Sequence, residues 1–382
     1  MGSMTTNESV IDKYLHRCIR CGNCKFVFRD YVPSCPSGEF FGFETYYASG
    51  RIRLAQALER GELDWDSSLL APVFACTVCS NCEEQCLSPH ANGIVDIIEE
   101  LRRKAVNKLG PLPAHQTFAN NILRTTNPYA EKPNHQNLRE KHGLPKSAEN
   151  VYFVGCTANY REEAIRDATI SLLKKAGVDF TIVDERCCGS PLIRTGQVDQ
   201  AEALAISNKE LFESAGASRI LTSCAGCYRT LASEYPAIDG NDDYEVLHIS
   251  QFLGSLIDSG MLVIEQPPFA EVITYHDPCH LGRHMGIYEE PRQVISSAGV
   301  DIIEMESNRH NAWCCGSGGG VKSAFKDMAL ETARKRVQHA QSVSADILLS
   351  ACPFCKLNLS DAANGEDIEV LDMVELLDRI TN

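Results

Sequence analysis

The sequence lacks several features that would place it in common classes of protein. No apolar stretch reaches the roughly 18 residues of a membrane span, and residues 1–16 contain no apolar core of the signal-peptide kind. We therefore expect a soluble, cytoplasmic chain, or one held at the inner face of a membrane through a partner. The net charge of −15 argues against nucleic acid or an anionic membrane surface as a partner, because both are negatively charged.

A nucleotide-binding loop is also missing. The glycine-rich run GSGGG at Gly316–Gly320 lacks the G-x-G-x-x-G pattern after a strand that a dinucleotide-binding turn requires. We therefore expect neither a flavin nor a nicotinamide in this chain. Its 382 residues, 44% of them apolar and 23% charged, suit a globular protein of two or three domains.

Cysteine is abundant, with 18 residues in the chain. Disulfides rarely persist in a cytosolic protein and are typical of short secreted chains, so the cysteines require a metal or redox explanation. Zinc is the usual interpretation of an isolated C-x-x-C. It fits poorly with adjacent cysteine pairs or with three cysteines at steps of three.

Residues 1–115 carry two cysteine motifs, CIRCGNC with a later cysteine, and CTVCSNCEEQC. Three thiolates at steps of three can surround one face of a cubane cluster, and in two-cluster ferredoxins the fourth ligand comes from the other motif. The predicted ligands of the first cubane [4Fe–4S] cluster are Cys18, Cys21, Cys24 and Cys86, and those of the second are Cys76, Cys79, Cys82 and Cys35. Stretches 43–61 and 94–110 each end in glycine and predict helices, so this ferredoxin-like domain should be α-helical.

Residues 116–148 are predicted to be a linker. Prolines recur between positions 111 and 145 and predict an irregular connector, although the segment could instead pack across both halves of the protein.

The rest of the chain contains one cysteine pattern twice: a single cysteine, an adjacent pair followed by glycine, and a C-x-x-C. The first copy has Cys156, Cys187, Cys188, Cys224 and Cys227, and the second has Cys279, Cys314, Cys315, Cys352 and Cys355. The steps between the three groups are 31 and 36 positions in the first copy and 35 and 37 in the second. Matching order and spacing indicate a duplicated metal-binding domain, placed at residues 149–262 and 263–382. With the eight cysteines of the first domain, these account for all 18.

Apolar runs alternate with helical patterns in both copies. The predicted strands are 151–155, 180–184, 219–223 and 245–249 in the first copy, and 272–276, 301–305, 346–350 and 368–372 in the second. This alternation predicts an α/β domain with a mostly parallel sheet in each copy. The cysteine groups then fall near the carboxyl ends of strands, where such sheets place their sites.

The repeat resembles the cysteine-rich CCG domain, and the whole chain resembles the D-subunit of heterodisulfide reductases and its relatives. That family joins a two-cubane ferredoxin domain to two CCG domains. The resemblance implies a non-cubane [4Fe–4S] cluster on the five cysteines of each repeat, and repeats related by pseudo-two-fold symmetry with a small disulfide substrate between them. It also implies redox partners: a flavoprotein, a ferredoxin or a membrane cytochrome.

Two functions are compatible with this resemblance. One is reductive cleavage of a (hetero)disulfide, with electrons entering through the cubane clusters. The other is an electron-transfer subunit that relays between a dehydrogenase of the glycolate, lactate or glycerol-3-phosphate type, or a ring-reducing complex, and a quinone, cytochrome or ferredoxin.

Two further features near the second cysteine set have alternative explanations. His280 is a candidate proton donor to a departing thiolate, because imidazole titrates near neutrality; a surface or hydrogen-bonded histidine is the alternative. The glycines after each cysteine pair, Gly189, Gly316 and Gly318–Gly320, can bring backbone N–H groups close to sulfur. Alternatively, the longer run is a flexible turn before a helix.

Overall fold

The computed structural model describes residues 14–27, 31–88, 91–239, 244–264 and 270–381. The first 13 residues of the predicted first domain, and residues 265–269 near the start of the predicted second repeat, lie outside these ranges. No helix within them is both long and apolar enough to cross a bilayer.

The first domain is helical, as predicted. Its α-helices are Pro36–Phe41, Ala48–Glu59, Leu70–Phe74, Asn81–Glu84 and Ile94–Leu109, with 3-10 turns at Leu15–Arg17, Asn23–Lys25, Glu44–Tyr46, Ser67–Leu69 and Ala91–Gly93. The helix Ile94–Leu109 is amphipathic and buries Ile97, Ile98 and Leu101. It ends at Gly110, whose φ of 81° places it in a region that glycine tolerates best.

The segment between the first domain and the repeats differs from the irregular connector that we expected. It forms the helices Pro113–Thr125 and His135–His142, and Pro113 stands at the helix start, where its missing N–H costs nothing. Phe118 packs in one apolar cluster with Leu192 of the first copy, whereas His115 Nε2 lies 3.1 Å from the carbonyl oxygen of Gly320 in the second. The segment therefore packs across both halves. The domain boundaries remain a prediction.

Each repeat contains a parallel sheet. The strands of the first copy are β1 (Asn150–Tyr152), β2 (Phe180–Thr181), β3 (Arg219–Thr222) and β4 (Glu245–His248), in the order β2-β1-β3-β4. Those of the second copy are β5 (Ile273–Tyr275), β6 (Ile347–Ser350) and β7 (Glu369–Asp372), in the order β5-β6-β7. All neighbouring strands are parallel, as the alternating pattern predicted.

The second sheet lacks the strand predicted at residues 301–305, which is reduced to a single parallel bridge between Ile273 and Ile302. This bridge occupies the edge that β2 holds in the first copy. The ladder stops there because the Thr274 hydroxyl donates to the Ile303 carbonyl at 2.6 Å, which removes an acceptor from the strand edge. With this correction, the two copies share one strand order.

Helices cover both sheets. Those of the first copy are Cys156–Tyr160, Glu163–Lys175, Ser190–Ile193, Val198–Ser214, Ala225–Arg229, Pro236–Asp239 and Ile249–Asp258, with a π-helical turn at Thr230–Glu234. Those of the second copy are Glu289–Ser297, Val321–Ala324, Lys326–Ser342, Pro353–Ala363 and Met373–Ile380, with a 3-10 turn at Arg309–Asn311. Capping boxes begin Ile249–Asp258 and Met373–Ile380, the helices that follow the last strand of each copy.

The repeats pack against each other reciprocally. Ile249–Asp258 of the first copy lies against Glu289–Ser297 of the second, and Glu163–Lys175 of the first lies against Met373–Ile380 of the second. One apolar core runs through both copies. Each fully buried leucine in it contributes about 1.5–3 kcal/mol through its removal from water. The two repeats therefore form one packed unit.

Candidate metal centres

The cysteines of the first domain fall into two groups. Cys18, Cys21 and Cys24 of the first motif surround a small cavity together with Cys86 from the end of the second motif. Burial raises the pKa of Cys35; among its neighbours, Arg51 opposes this rise and Cys76 adds to it. Cys86 thus lies with the first motif, whereas Cys35 has both Cys76 of the second motif and Cys24 of the first among its neighbours. The ligand assignment itself remains a proposal.

The five thiols of the first repeat form a continuous series. Cys156 interacts with Cys187, which interacts with Cys188; Cys188 then meets Cys227, and Cys227 meets Cys224. The hydrogen bonds that Cys224 receives lower its thiol pKa well below the usual value, chiefly through Cys227.

The second repeat has the same series. Cys279 interacts with Cys314, Cys314 with Cys315, Cys315 with Cys355, and Cys355 with Cys352. Hydrogen bonds, first from Cys314 and then from Cys355, lower the pKa of Cys315 well below its usual value. The duplication is therefore visible in how the sulfur atoms are arranged as well as in the sequence.

Two contacts join these sets to each other and to the first domain. Cys224 of the first repeat interacts with Cys352 of the second. Cys79 of the second motif interacts with Cys314, and both pack with Cys279 in one buried cluster. The sulfur atoms consequently make a continuous series from the second motif through the second repeat to the first.

Both five-cysteine sets line one cavity of about 580 Å³. Nine cysteines reach its wall: Cys156, Cys187, Cys188, Cys224, Cys227, Cys279, Cys315, Cys352 and Cys355. Phe118 and Tyr129, from the segment that follows the first domain, close another side. The cavity has room for a small molecule, and its sulfur atoms come from both repeats.

His280, the candidate proton donor, also lines this cavity. Its Nδ1 lies 3.3 Å from the Cys279 sulfur, and its Nε2 lies 3.4 Å from Nη1 of Arg229. Because an arginine can only donate, Nε2 accepts and the ring proton resides on Nδ1. Burial, assisted by Arg229, lowers the pKa of His280 well below its usual value. The ring is therefore neutral, which argues against a proton donor and in favour of the alternative, a hydrogen-bonded histidine.

The glycine run of the second repeat serves two structural purposes. The Gly316 N–H donates to the Cys314 sulfur at 3.3 Å, as expected for a glycine beside a ligand. Gly318, Gly319 and Gly320 instead lie against other segments: a Cβ on Gly318 would stand 2.7 Å from the Thr77 carbonyl oxygen, and one on Gly319 would overlap that of Cys76. A Cβ on Gly320 would meet the His115 ring at 2.5 Å. These three residues are therefore part of a tight docking surface and do not form a free turn.

The sequence did not reveal Arg102, which lies where the first domain meets the two repeats. Arg102 is fully buried, and its guanidinium donates to five backbone carbonyls drawn from the first domain and both repeats. They belong to Val73 at 3.1 Å, Phe74 at 3.1 Å, Cys76 at 2.6 Å, Arg194 at 2.6 Å and Gly319 at 3.0 Å. Burial lowers the pKa of Arg102 to about 10, which leaves it charged at neutral pH. All five N–H donors of the guanidinium have acceptors.

The residues fit iron–sulfur clusters. All 18 cysteines are free thiols, and those of each repeat form one contacting set of soft ligands. Ligands of this softness and number favour iron–sulfur centres over a hard cation such as Mg²⁺.

Comparison with known protein families agrees with the assignment of iron–sulfur clusters. Residues 14–88 match the 4Fe-4S dicluster domain, and residues 150–232 and 273–360 each match the cysteine-rich CCG domain. With the fold and the thiol groups described above, these matches define the chain as an iron–sulfur electron-transfer component of an oxidoreductase. More narrowly, it belongs to the family of heterodisulfide reductase D-subunits, which confirms the resemblance seen in the sequence.

Three relatives document this membership. The D-subunit of the dihydromethanophenazine:CoB–CoM heterodisulfide reductase of Methanosarcina barkeri is 37% identical over 95% of this chain and 93% of its own length. The B-subunit of the fumarate reductase (CoM/CoB) of Methanothermobacter marburgensis is 34% identical over 96% of this chain and 72% of its own length. The EtfAB:quinone oxidoreductase of Syntrophomonas wolfei is 31% identical over 80% of this chain and 46% of its own length.

Proposed function

We propose that this chain reduces a small disulfide in the cavity between its two repeats. A redox partner, such as a flavoprotein, a ferredoxin or a membrane cytochrome, supplies two electrons. With two protons, these convert R–S–S–R′ into RSH and R′SH. The observation that carries the proposal is the single cavity lined by the cysteines of both repeats. The relatives named for CoB–CoM chemistry support a disulfide as the substrate class.

The cysteines divide among four proposed clusters. Cys18, Cys21, Cys24 and Cys86 would hold one cubane, and Cys76, Cys79, Cys82 and Cys35 the other. The five-cysteine sets of the two repeats would each hold a non-cubane [4Fe–4S] cluster. When bound, these clusters supply one-electron transfer, so that the two electrons of a disulfide reduction arrive singly.

The contacts between sulfur atoms support an order in which electrons reach the proposed clusters. Cys79 of the first domain meets Cys314 of the second repeat, and Cys352 of that repeat meets Cys224 of the first. Through these sulfur contacts, the first domain adjoins the second repeat, and the second repeat adjoins the first repeat. We propose that electrons enter through the first domain and reach the second repeat before the first.

Pseudo-two-fold symmetry is part of this proposal. The helix after the last strand of each repeat packs on the helix after the first strand of the other, which is the exchange that a two-fold axis produces. Such an arrangement presents equivalent cysteines to the two sulfur atoms of one disulfide. His280, whose Nδ1–H lies beside Cys279, is proposed to donate a hydrogen bond to a departing thiolate; because the ring is neutral, the two protons themselves come from solvent.

A relay function is the second candidate. The similarity to an EtfAB:quinone oxidoreductase favours it, as does the exposure of Cys21 at the predicted first cubane, where a partner protein has access. In this alternative the chain passes electrons between a dehydrogenase and a quinone, cytochrome or ferredoxin, and no disulfide is reduced.

Separate Cys188→Ala and Cys315→Ala variants test the disulfide proposal. We expect both to lose nearly all reduction of a disulfide panel by reduced viologen, because residues that act as one unit fail together. Both should keep reducible cubanes. Thr117→Ala, a wall residue of the same cavity that bears no sulfur, is the control and should retain turnover.

Either cysteine variant keeping substantial turnover would refute a site shared by both repeats. If the parent protein, with all its iron in place, reduces no disulfide but exchanges electrons rapidly with a partner, the relay function replaces the proposal.

A further inference from the structure

The buried ring of His276 lies beside the cysteines of the second repeat. One of its ring nitrogens and the sulfur atoms of Cys315 and Cys355 all lie within 4.8 Å of one another. The side chain is only 1% exposed. Its Nε2 has no hydrogen-bond partner in the part of the chain that the structure describes.

Arg336 fixes the position of the ring proton. The Nε–H of Arg336 donates to Nδ1 of His276 at 3.1 Å, and Arg336 is itself fully buried. An arginine offers no acceptor, so Nδ1 must use its lone pair and the proton must be on Nε2. A metal-binding histidine requires the opposite arrangement, in which one nitrogen binds the metal and the other donates its proton to an acceptor. His276 is therefore arranged to donate a hydrogen bond and not to bind iron.

In the first repeat, the residue at the equivalent position is not such a donor. Phe153 occupies the equivalent position: its backbone N–H donates to Leu221 at 2.8 Å, as that of His276 does to Leu349 at 2.7 Å. Each residue directly follows the first strand of its repeat. A phenyl ring in the first repeat and an imidazole N–H in the second add to the difference that His280 already makes, since it follows Cys279 where Thr157 follows Cys156.

We infer that His276 donates an Nε2–H hydrogen bond to sulfur at the second-repeat centre and thereby raises its reduction potential above that of the first-repeat centre. A donor directed at sulfur stabilises the reduced state, which carries the additional negative charge. This inference rests on the proposed cluster at Cys315 and Cys355. It makes the repeat beside Cys79 the favoured first acceptor of an electron, and His276 a residue that tunes potential without touching substrate.

Two substitutions separate the functions of the two ring nitrogens. His276→Asn keeps an acceptor near the Nδ1 position for Arg336 but removes the donor, whereas His276→Gln carries an amide N–H near the Nε2 position. Reduction potentials are measured by anaerobic titration followed by electron paramagnetic resonance. We expect His276→Asn to lower the second-repeat potential enough to change the ratio of reduced to oxidised centre at least tenfold, which is about 59 mV for one electron. His276→Gln should recover at least half of that shift.

Proton and nitrogen double-resonance spectra give an independent test, recorded on His280→Gln because the Nδ1–H of His280 lies beside Cys279 of the same centre. We expect one exchangeable histidine proton coupled to the second-repeat centre in this variant, lost in D₂O and assigned by labelling histidine with ¹⁵N. A strong nitrogen coupling of a directly bound imidazole would overturn the inference, as would the absence of an exchangeable histidine proton.

Iron analysis distinguishes this inference from the function on which it rests. If the parent contains only the iron of the two cubanes, about eight per chain, the second-repeat cluster is absent and both proposals fail. If that cluster is present and its potential is unchanged in His276→Asn, only the inference about His276 fails.

Discussion

Replacing Arg102 by methionine tests whether one side chain holds the first domain against both repeats. The change keeps much of the apolar volume and removes all five N–H donors of the guanidinium. Two of the orphaned carbonyls belong to the repeats, at Arg194 and Gly319, and the other three belong to the first domain.

The expected cost follows from these five bonds. A hydrogen bond to a charged group contributes about 1.5–3 kcal/mol, and a buried carbonyl left without a donor costs about 1–3 kcal/mol. These values are not additive, and removing a fully buried charge recovers part of its desolvation cost. We therefore expect a loss of about 4 kcal/mol or more in the free energy of unfolding. That is a large fraction of the roughly 5–15 kcal/mol that holds a domain folded.

Arg51→Met is the matched control. Arg51 is also buried, and it donates to Pro72 at 2.7 Å and Ala75 at 2.8 Å, both in the first domain. Its loss should destabilise that domain by a comparable amount without disturbing the junction with the repeats.

Anaerobic denaturant unfolding combined with amide hydrogen exchange measures both effects. Arg102→Met should lose protection around Thr195–Gln197 and Gly320–Val321, whereas Arg51→Met should not. The reasoning about the junction is refuted if Arg102→Met unfolds within about 1 kcal/mol of the parent and protection there is unchanged.

Three further predictions concern metal content, ligand pairing and pH. Anaerobically prepared protein should contain about sixteen irons per chain; near-stoichiometric zinc with little iron, measured by elemental analysis, would contradict this. Cys86→Ser should damage the cluster of the first motif and Cys35→Ser that of the second, and resonance spectra in which each change affects only its own motif would disprove the crossing. Burial lowers the pKa of His115 to about 4. As the pH falls, this imidazole is protonated in the unfolded chain before it is protonated in the folded protein, so stability is lost from about pH 6.5 towards pH 4. Other buried histidines with lowered pKa values contribute equally to both proteins. Between pH 7 and 5.5, denaturant unfolding should therefore show a loss in the parent that exceeds the loss in His115→Gln by on the order of 1 kcal/mol, and equal losses in the two proteins would contradict a neutral buried ring.

The groups of cysteine ligands could be predicted from the sequence because cluster binding restricts the spacing between cysteines. Three cysteines at steps of three can face one cluster, and the crossing of Cys35 and Cys86 follows from the way two clusters share motifs. The structure brings Cys86 to the first motif as that logic requires. The duplicated strand order was equally readable, because apolar runs and glycine stops recur in both repeats.

Features that depend on contacts between segments distant in sequence could not be predicted. Arg102 stands in an amphipathic helix beside Arg103, and nothing in the local pattern separates the buried arginine from its half-exposed neighbour. The strand predicted at residues 301–305 failed because the Thr274 side chain, distant in sequence, takes the carbonyl of Ile303. It was also unpredictable which repeat's cysteines contact those of the first domain, since both repeats carry the same cysteines.

One signal could have identified that repeat. Gly318, Gly319 and Gly320 have no counterpart after Gly189 in the first repeat, where Ser190 and Pro191 follow. A run of residues without side chains marks a place where another backbone can approach closely. The neighbouring cysteines suggest that these glycines lie against sulfur, whereas Gly318 and Gly319 contact the first domain.

The glycine docking surface also affects how the chain is made. The partners Arg102 and Gly319 are 217 residues apart, so a ribosome adding about 5–20 residues per second needs roughly 10–40 s to supply the second after the first. During that interval the carbonyls of Cys76 and Thr77 have no glycine run to cover them. The second motif is then open on a side that the finished chain closes. We expect nascent chains that end before Gly318 to accept iron at this motif more readily, and to release it more readily, than the completed protein.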